Sequence, residues 1–272
     1  MTRMVFTGFD SAWTRGNCGA IAHLIVDGLE ITFPHPQTAS FPEALTCIEA
    51  VGSGAALHVI AIDQPLIVPN ATGSRPVEGV FRPVLGRMGG AIQPSSRGRV
   101  GMFDDGAPIW QFLRALNAPI DPMLIPGALA GRLAFEAYPV AAQIGFATES
   151  GELKRLHKYN PGRRKTFTNC GWRALHRIME GAATRLGLHE MTRWIRTSSA
   201  LEPNKADQDR LDAAICVLVA WNWWQKGLQA SAVVGDISTG YIVTPASHFL
   251  LTHLILAAAA RGVPIATDFA ME

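Results

Sequence analysis

The chain has 272 residues, of which 48% are hydrophobic and 17% charged, and its formal net charge at pH 7 is +2. This is the composition of an ordinary globular protein with enough apolar residues for a sizeable core, and not of a disordered chain. A net charge so close to zero also argues against a protein that coats nucleic acid, so any nucleic-acid binding must be local.

The first predicted elements include two buried strands that each end in an aspartate. Val5–Phe9 leads into Asp10, and Val59–Ile62 leads into Asp63. Apolar runs of this length are typical of parallel strands covered on both faces, and open α/β sheets bind ligands at the carboxyl ends of such strands. If the strands are neighbours, their carboxylates lie side by side, and a divalent cation would offset the repulsion. Aspartate is also common in turns and as a helix N-cap, so a structural role for each stays open.

Two stretches in the middle of the chain exceed a minimal α/β core. Residues 68–130 are rich in Gly, Pro and Arg, and residues 146–200 follow a further apolar strand. Both contain apolar residues at helical spacing: Ile109, Phe112, Leu113 and Leu116 in the first, and Leu175, Ile178, Met179 and Ala182 in the second. We therefore expect a single domain, residues 1–272, with two helical insertions that cap the substrate cleft.

Two basic tracts are candidates for contacts with phosphate. The denser one, KRLHKYNPGRRK, runs from Lys154 to Lys165 and has a Pro-Gly turn between its basic residues. Such a loop could contact phosphates while its tyrosine stacks on a base. The candidate substrate-binding residues are Lys158, Tyr159, Arg163, Arg164 and Lys165, together with Arg75 from a sparser tract that also holds Arg82, Arg87, Arg97 and Arg99. Most charge runs are only solvated, so a plain surface role stays open.

A long helix is predicted from Asn204 to Lys226. Asp209, Asp212, Cys216 and Val219 fall on one face of it, and that face is apolar toward its C-terminal end. Asp212 therefore heads a stripe that should be buried, where an unpaired carboxylate costs several kcal/mol, and this favours a functional role. Asp209 has an alternative role, because acids in a first turn stabilise the helix dipole.

Glu136 and the C-terminal segment complete the predicted elements. Glu136 follows an apolar strand and precedes a proline, so it either points into the same cleft or starts a helix. Tyr241–Thr244 is predicted as the final strand. The apolar stretch 248–260 is too short to span a bilayer and is predicted to be a buried core helix that stops before Pro264.

The remaining features concern partners and location. Trp221, Trp223 and Trp224 indicate helix packing or a subunit contact, so a homodimer stays open. The start of the chain lacks the apolar segment of a signal peptide, and no apolar stretch is long enough to span a bilayer, so we expect no membrane partner. Cys47 and Cys216 lie in apolar helical stretches and are predicted to be core residues, which favours a cytoplasmic location.

Five short motifs resemble one known family in their order and spacing. GFDSAW, AIDQP, FEAYP, DxxDAA and GYIVTP, spread over residues 4–245, are similar to the DUF429 family, for which an RNase H-like fold is predicted. The resemblance implies an α/β fold: an RNase H-like mixed β-sheet flanked by helices, with acids from the first strand, the fourth strand and a late helix gathered at one end. RNase H-like nucleases and resolvases hold two divalent metal ions with such acids. Carried over by position, Asp10, Asp63 and Asp212 would bind Mg²⁺ or Mn²⁺, with Asp209 or Glu136 as a further ligand.

One departure from the RNase H enzymes concerns the acid that they take from the helix after the third strand. Here that helix, near residues 40–52, offers only Glu43 and Glu49, and no motif chooses between them.

The expected function is a metal-dependent nuclease that hydrolyses phosphodiester bonds of DNA or RNA by a two-metal mechanism. One alternative is a non-catalytic nucleic-acid-binding or scaffold protein on the same fold. The other is a phosphotransferase of the sugar kinase and actin type, which needs two glycine-rich phosphate turns. GFDSAWTRGNCG supplies at best one of them.

Overall fold

A mixed six-stranded sheet forms the centre of the molecule. The computed structural model describes residues 2–147, 155–200 and 202–270. The strands of this sheet are β1 (Arg3–Asp10), β2 (Gly19–Asp27), β3 (Glu30–Thr32), β4 (Gln37–Ala39), β5 (Leu57–Asp63) and β6 (Gly131–Glu136). Their order is β3-β2-β1-β5-β6, and β4 pairs with β2. Because β1 is antiparallel to β2 but parallel to β5, and β5 is parallel to β6, the predicted mixed sheet is confirmed.

Helices cover both faces of the sheet, as predicted. They are α1 (Phe41–Gly52), α2 (Pro76–Arg87), α3 (Pro108–Leu116), α4 (Pro139–Phe146), α5 (Asn169–Arg185), α6 (His189–Ser198), α7 (Lys205–Lys226) and α8 (His248–Ala259). The predicted long helix is α7, and Asn204 caps it by accepting a hydrogen bond from the backbone N–H of Asp207. The two apolar spacings in the insertions are confirmed as α3 and α5.

Strand alternation decides which residues face α7. Phe6 and Val59 pack with α7 in one hydrophobic cluster, whereas Phe9 and Ile62 pack with α1 and α3 in another. Gly8 lies on the α7 face, where an added Cβ would stand 2.0 Å from the carbonyl oxygen of Ala213. Only glycine therefore allows α7 to approach β1 this closely.

A second sheet lies beyond the end of β6. It consists of β7 (Ser231–Asp236), β8 (Gly240–Pro245) and β9 (Ile265–Ala266) in the order β8-β7-β9, and it packs with α2, α4 and α8 in a separate core. An isolated parallel bridge between Ala137 and Val243 connects the two sheets. The strand predicted at Tyr241–Thr244 lies within β8, but it is not the final one. The strand β9 could not be predicted, because two residues are too few to show the alternation of apolar and polar residues that marks a strand.

The apolar helix α8 is less buried than predicted. Leu250, Leu251 and Leu254 are buried, whereas Phe249 is 40% and Leu256 65% exposed. The helix therefore packs through one face only. In the part of the chain that the structure describes, no helix combines the length and hydropathy needed to cross a membrane.

The tryptophans of α7 serve helix packing. The rings of Trp221 and Trp224 lie 4.9 and 5.2 Å from that of Phe6, and the indole N–H of Trp223 donates to the carbonyl oxygen of Pro122 over 3.1 Å. Of the two interpretations offered for these residues, helix packing is confirmed.

Candidate functional site

The carboxylates of Asp10 and Asp63 lie at the carboxyl ends of neighbouring parallel strands. Their Cα atoms are partners in the register of β1 and β5, so both side chains leave the sheet on its α7 face. Within the described residues, no hydrogen bond or ion pair reaches either carboxylate. Burial, together with repulsion from Asp212, raises the pKa of both carboxyls well above the ordinary value.

The third carboxylate, that of Asp212, is held by two donors. It is 4% exposed; the hydroxyl of Tyr159 donates to its Oδ1 over 2.8 Å, and the amide of Gln208 donates to its Oδ2. Burial raises the pKa of Asp212 to about 7, although both donors act in the opposite direction. Asp10, Asp63 and Asp212 all line one cavity of about 370 Å³.

Asp209 lies beside this cluster but is already paired. It forms an ion pair with Lys205 one turn earlier on α7, and it is not among the residues that line the cavity. Lys205 lowers the pKa of Asp10 and Asp63 in opposition to their burial. Lys205 is thus the cation of α7 that lies near Asp10 and Asp63. Sequence reasoning missed it, although its i,i+4 spacing to Asp209 was a readable signal.

The structure pairs Glu136 and Arg75, two of the predicted site residues, with each other. Glu136 is the register partner of Ile62, not of Asp63, so its side chain leaves the opposite face of the sheet. There the Arg75 guanidinium binds both of its carboxylate oxygens, over 2.7 and 2.6 Å. Arg75 is 1% exposed and also pairs with Glu78, so it offers nothing to a substrate, and Glu136 is not free to bind a metal.

The basic loop reaches the cavity through two of its charges. Lys158 and Arg163 are exposed and line the cavity, whereas Arg164 and Lys165, also exposed, are not among its lining residues. Lys154 lies outside the described residues. Tyr159, for which base stacking is predicted, is buried, and its hydroxyl donates to Asp212.

Helix α1 supplies no acid to the site. Glu43 accepts hydrogen bonds from the backbone N–H and the hydroxyl of Ser40 and so caps its own helix. Glu49 is paired with Arg132 on β6. The departure from the RNase H pattern noted in the sequence is therefore also present in the structure.

A second cavity, of about 480 Å³, lies between the β1–β2 loop, α1 and α3. Residues such as Phe41, Leu45 and Phe112 line it, and its lining includes no carboxylate. It lacks the groups that phosphate chemistry at a metal would need, so the acid-lined cavity is the better candidate.

The donor chemistry of Asp10, Asp63 and Asp212 suits a hard divalent cation, which prefers carboxylate oxygen. The carboxylates of Asp10 and Asp63 also have no partner in the part of the chain that the structure describes. As they stand, however, no three His, Cys, Asp or Glu side chains of the described residues are close enough to share one ion. Binding by all three would require side chains to rotate, most directly at Asp212, which is turned toward Tyr159 and Gln208.

The family of proteins of unknown function termed DUF429 matches residues 8–234. The chain belongs to the DUF429 family. No curated protein and no solved structure matches it. The DUF429 match includes all three clustered aspartates, but it ends before β8, so the GYIVTP segment of the resemblance lies outside it.

Three further residues of this DUF429 chain belong to the site and were not predicted. Trp13 has a left-handed backbone with φ of 61°, lines the cavity and donates from its indole N–H to the carbonyl oxygen of Asp63. Gln143 and Gln208 also line the cavity. Neither glutamine lies in a recognisable motif, whereas Trp13 follows directly on the GFDSA segment.

Proposed function

We propose that this DUF429 protein is a divalent-metal-dependent nuclease with an RNase H-like fold. The observation that carries the proposal is the group of three aspartates, buried Asp10 and Asp212 and half-buried Asp63, around one cavity at the carboxyl end of the central sheet. A mixed sheet flanked by helices, with these acids on β1, β5 and α7, is the arrangement that the resemblance implies. The second acid ends the fifth strand instead of the fourth, because the short strand β4 precedes it.

The side chains that line the cavity would have different roles in this function. Asp10, Asp63 and Asp212 would hold Mg²⁺ or Mn²⁺, which polarises the phosphate and lowers the pKa of a bound water. Tyr159 and Gln208 orient Asp212 through their hydrogen bonds. Lys158 and Arg163 stand at the exposed side of the cavity, where they would attract the phosphate backbone.

Hydrolysis of bis(p-nitrophenyl) phosphate with Mn²⁺ or Mg²⁺ tests the proposal without assuming a nucleic-acid sequence. We expect metal-dependent release of nitrophenol by the wild type and none by Asp10→Asn or Asp212→Asn. Asp121→Asn, a change in a loop remote from the three acids, is the matched control and should keep the activity. Mn²⁺ binding by calorimetry provides a second reading, and no binding by the wild type would refute the proposal.

The non-catalytic alternative is favoured by one observation. Asp209 and Glu136, the two acids expected to complete the ligand set, are paired with Lys205 and Arg75 instead. A protein that uses the fold only to bind nucleic acid would need no metal and would tolerate such pairing. It would bind oligonucleotides equally well with and without Mn²⁺.

The phosphotransferase alternative receives less support. A second phosphate-binding turn would have to lie at a hairpin such as the one between β7 and β8. There the backbone N–H groups of Ser238 and Thr239 donate to the carboxylate of Asp236 over 2.8 and 2.7 Å. A phosphate group would need those same donors. The turn therefore already carries an internal anion.

A further inference from the structure

Two segments of the chain meet over the acid-lined cavity. The backbone N–H of Leu156 donates to the carbonyl oxygen of Met88 over 2.8 Å, and the Lys158 ammonium donates to that of Gly89. Nearby, the Tyr138 hydroxyl donates to the carbonyl oxygen of Ala91 over 2.8 Å. These contacts join residues 88–91 to residues 156–158, and both segments contribute to the cavity lining. The joined segments therefore form one wall of the pocket in which the acids lie.

The size of this pocket limits what can reach the acids. Its volume of about 370 Å³ lies at the small end of the range of roughly 300–1,000 Å³ typical of small-molecule pockets. Asp10 and Asp212 are 7% and 4% exposed. One unstacked nucleotide fits such a space, whereas a base-paired duplex does not reach its floor.

An unpartnered amide in the pocket wall points to a ligand. Gln143, on α4, is 0% exposed, and neither its amide nitrogen nor its amide oxygen has a hydrogen-bond partner among the described residues. The amide oxygen of Gln208 is likewise buried without a partner. A buried donor or acceptor left unpaired costs about 1–3 kcal/mol, and a ligand that bonds to these amides would remove that cost. A glutamine amide presents one donor and one acceptor side by side, which matches the hydrogen-bonding edge of a nucleobase.

We infer that the pocket binds a single unpaired nucleotide and that Gln143 recognises the edge of its base. The inference rests on the proposed nuclease function and adds a substrate class to it: single-stranded ends or splayed-out nucleotides, and not intact duplex. Trp13 and Tyr138 also line the pocket and offer aromatic faces beside the base. The base would then be read by Gln143 while its phosphate lies at the aspartates.

The test measures binding and stability separately, in an Asp63→Asn background that prevents cleavage. Fluorescence anisotropy compares a labelled single-stranded 12-mer with the blunt duplex of the same sequence, and then four homopolymeric single strands. We expect the single strand to bind at least tenfold more tightly than the duplex.

The Gln143→Leu variant should bind the single strand with about tenfold lower affinity, and its affinities for the four homopolymers should become similar. It should leave the free energy of unfolding unchanged or higher, because it removes an unpaired amide. Gln225→Leu, the same change at an exposed position of α7, should not alter affinity or base preference.

Each outcome decides between this inference and the nuclease proposal. Equal affinity for duplex and single strand, or Gln143→Leu lowering stability with affinity unchanged, would overturn the inference and make Gln143 a structural residue. Hydrolysis of bis(p-nitrophenyl) phosphate by the parent protein is measured in parallel. If the parent protein hydrolyses this ester but binds duplex and single strand with equal affinity, the nuclease proposal stands and the inference fails. If the ester is not hydrolysed but single strands bind through Gln143, the pocket is correct and the catalytic role is not.

Discussion

Asp63 is half-buried beside two other carboxylates, and no hydrogen-bond donor of the described residues reaches its carboxylate. Desolvation and the charge of Asp212 raise its pKa. A carboxylate in such a place destabilises the folded chain unless a cation joins it. Asp236 is its opposite, since four donors from Ser238 and Thr239 reach one of its oxygens and its pKa is lowered. Replacement by asparagine should therefore change the free energy of unfolding in opposite directions at the two positions.

We expect Asp63→Asn to raise the free energy of unfolding by on the order of 1 kcal/mol in EDTA, because it removes a repelling charge, and to abolish metal-dependent cleavage. Asp236→Asn should lower the free energy of unfolding, because it weakens charge-assisted hydrogen bonds in the β7–β8 turn. Urea denaturation at pH 7.5 measures both. A marked loss of stability in Asp63→Asn would identify Asp63 as a structural residue.

Residue-level prediction from the sequence succeeded where a single strand or helix decides the position. Asp10 and Asp63 follow from the rule that parallel strands present their carboxyl ends to ligands, and Asp212 from its place on an apolar helix stripe. The face of the sheet on which Glu136 lies could not be predicted, because it depends on the register of β6 against β5, which the sequence does not specify. The hydrogen bonds of Arg75 and Tyr159 could not be predicted either, because their partners are 61 and 53 residues away in the sequence.

At the scale of elements, the approach of α7 to β1 sets the distance between Asp212 and Asp10. Gly8 permits it, since an added Cβ would lie 2.0 Å from the Ala213 carbonyl oxygen and 2.7 Å from the Val217 nitrogen. These are backbone atoms and cannot rotate away. The helix itself must shift if Gly8 is replaced.

Gly8→Ala should therefore destabilise the protein by about 1–3 kcal/mol or more and weaken Mn²⁺ binding, because it moves Asp212 away from Asp10. Gly86→Ala is the matched control: Gly86 is exposed in α2 with nothing within 4 Å of the added Cβ, so the change should stabilise by up to about 1 kcal/mol. Thermal denaturation and Mn²⁺ calorimetry measure the two effects. Equal behaviour of the two variants would contradict the packing argument.

A second inter-element contact links β1, β2 and β5 on the opposite face of the sheet. The Thr7 hydroxyl lies 2.9 Å from Nδ1 of His23 and 2.7 Å from Nε2 of His58. Burial lowers the pKa of His23 to about 4 and that of His58 to about 3. Both imidazoles are therefore neutral in the folded protein at pH 5, whereas an unfolded chain protonates them below about pH 6.5.

This difference makes stability depend on pH in a defined direction. Above about pH 6.5 the two histidines are neutral in both states and contribute fully to the free energy of unfolding. As the pH falls below that value this contribution is lost, because the unfolded chain binds more protons than the folded one. His58→Gln should be less stable than the wild type at pH 7.5, and the difference should narrow by about 2 kcal/mol at pH 5. Urea denaturation at both pH values measures this. A constant difference would show that His58 protonates equally in both states.

Across the whole molecule, Arg75 connects parts that are distant in sequence. Its side chain binds Glu136 at the end of β6, Glu78 in α2 and the carbonyl oxygen of Ile67 in the loop after β5. Glu136 also accepts from the backbone N–H of Leu66, and the Arg75 side chain packs against Gly240 at the start of β8. The ion cluster thus fixes the loop that follows Asp63 and the junction with the second sheet. The sequence indicated only β8 of that sheet, through the GYIVTP motif, because its partners β7 and β9 lie outside the motifs.

Arg75→Met should destabilise the protein by about 3–5 kcal/mol, because it leaves Glu78 and Glu136 buried without their cation. Replacing both glutamates by glutamine in the same chain should recover most of that loss, since the buried charges are then absent. Arg97→Met, which breaks an exposed ion pair with Asp105, should cost only about 0–1 kcal/mol. Urea denaturation of the variants separates two interpretations. If the triple variant is as unstable as Arg75→Met, then the packing of the arginine and not its charge holds the two sheets together.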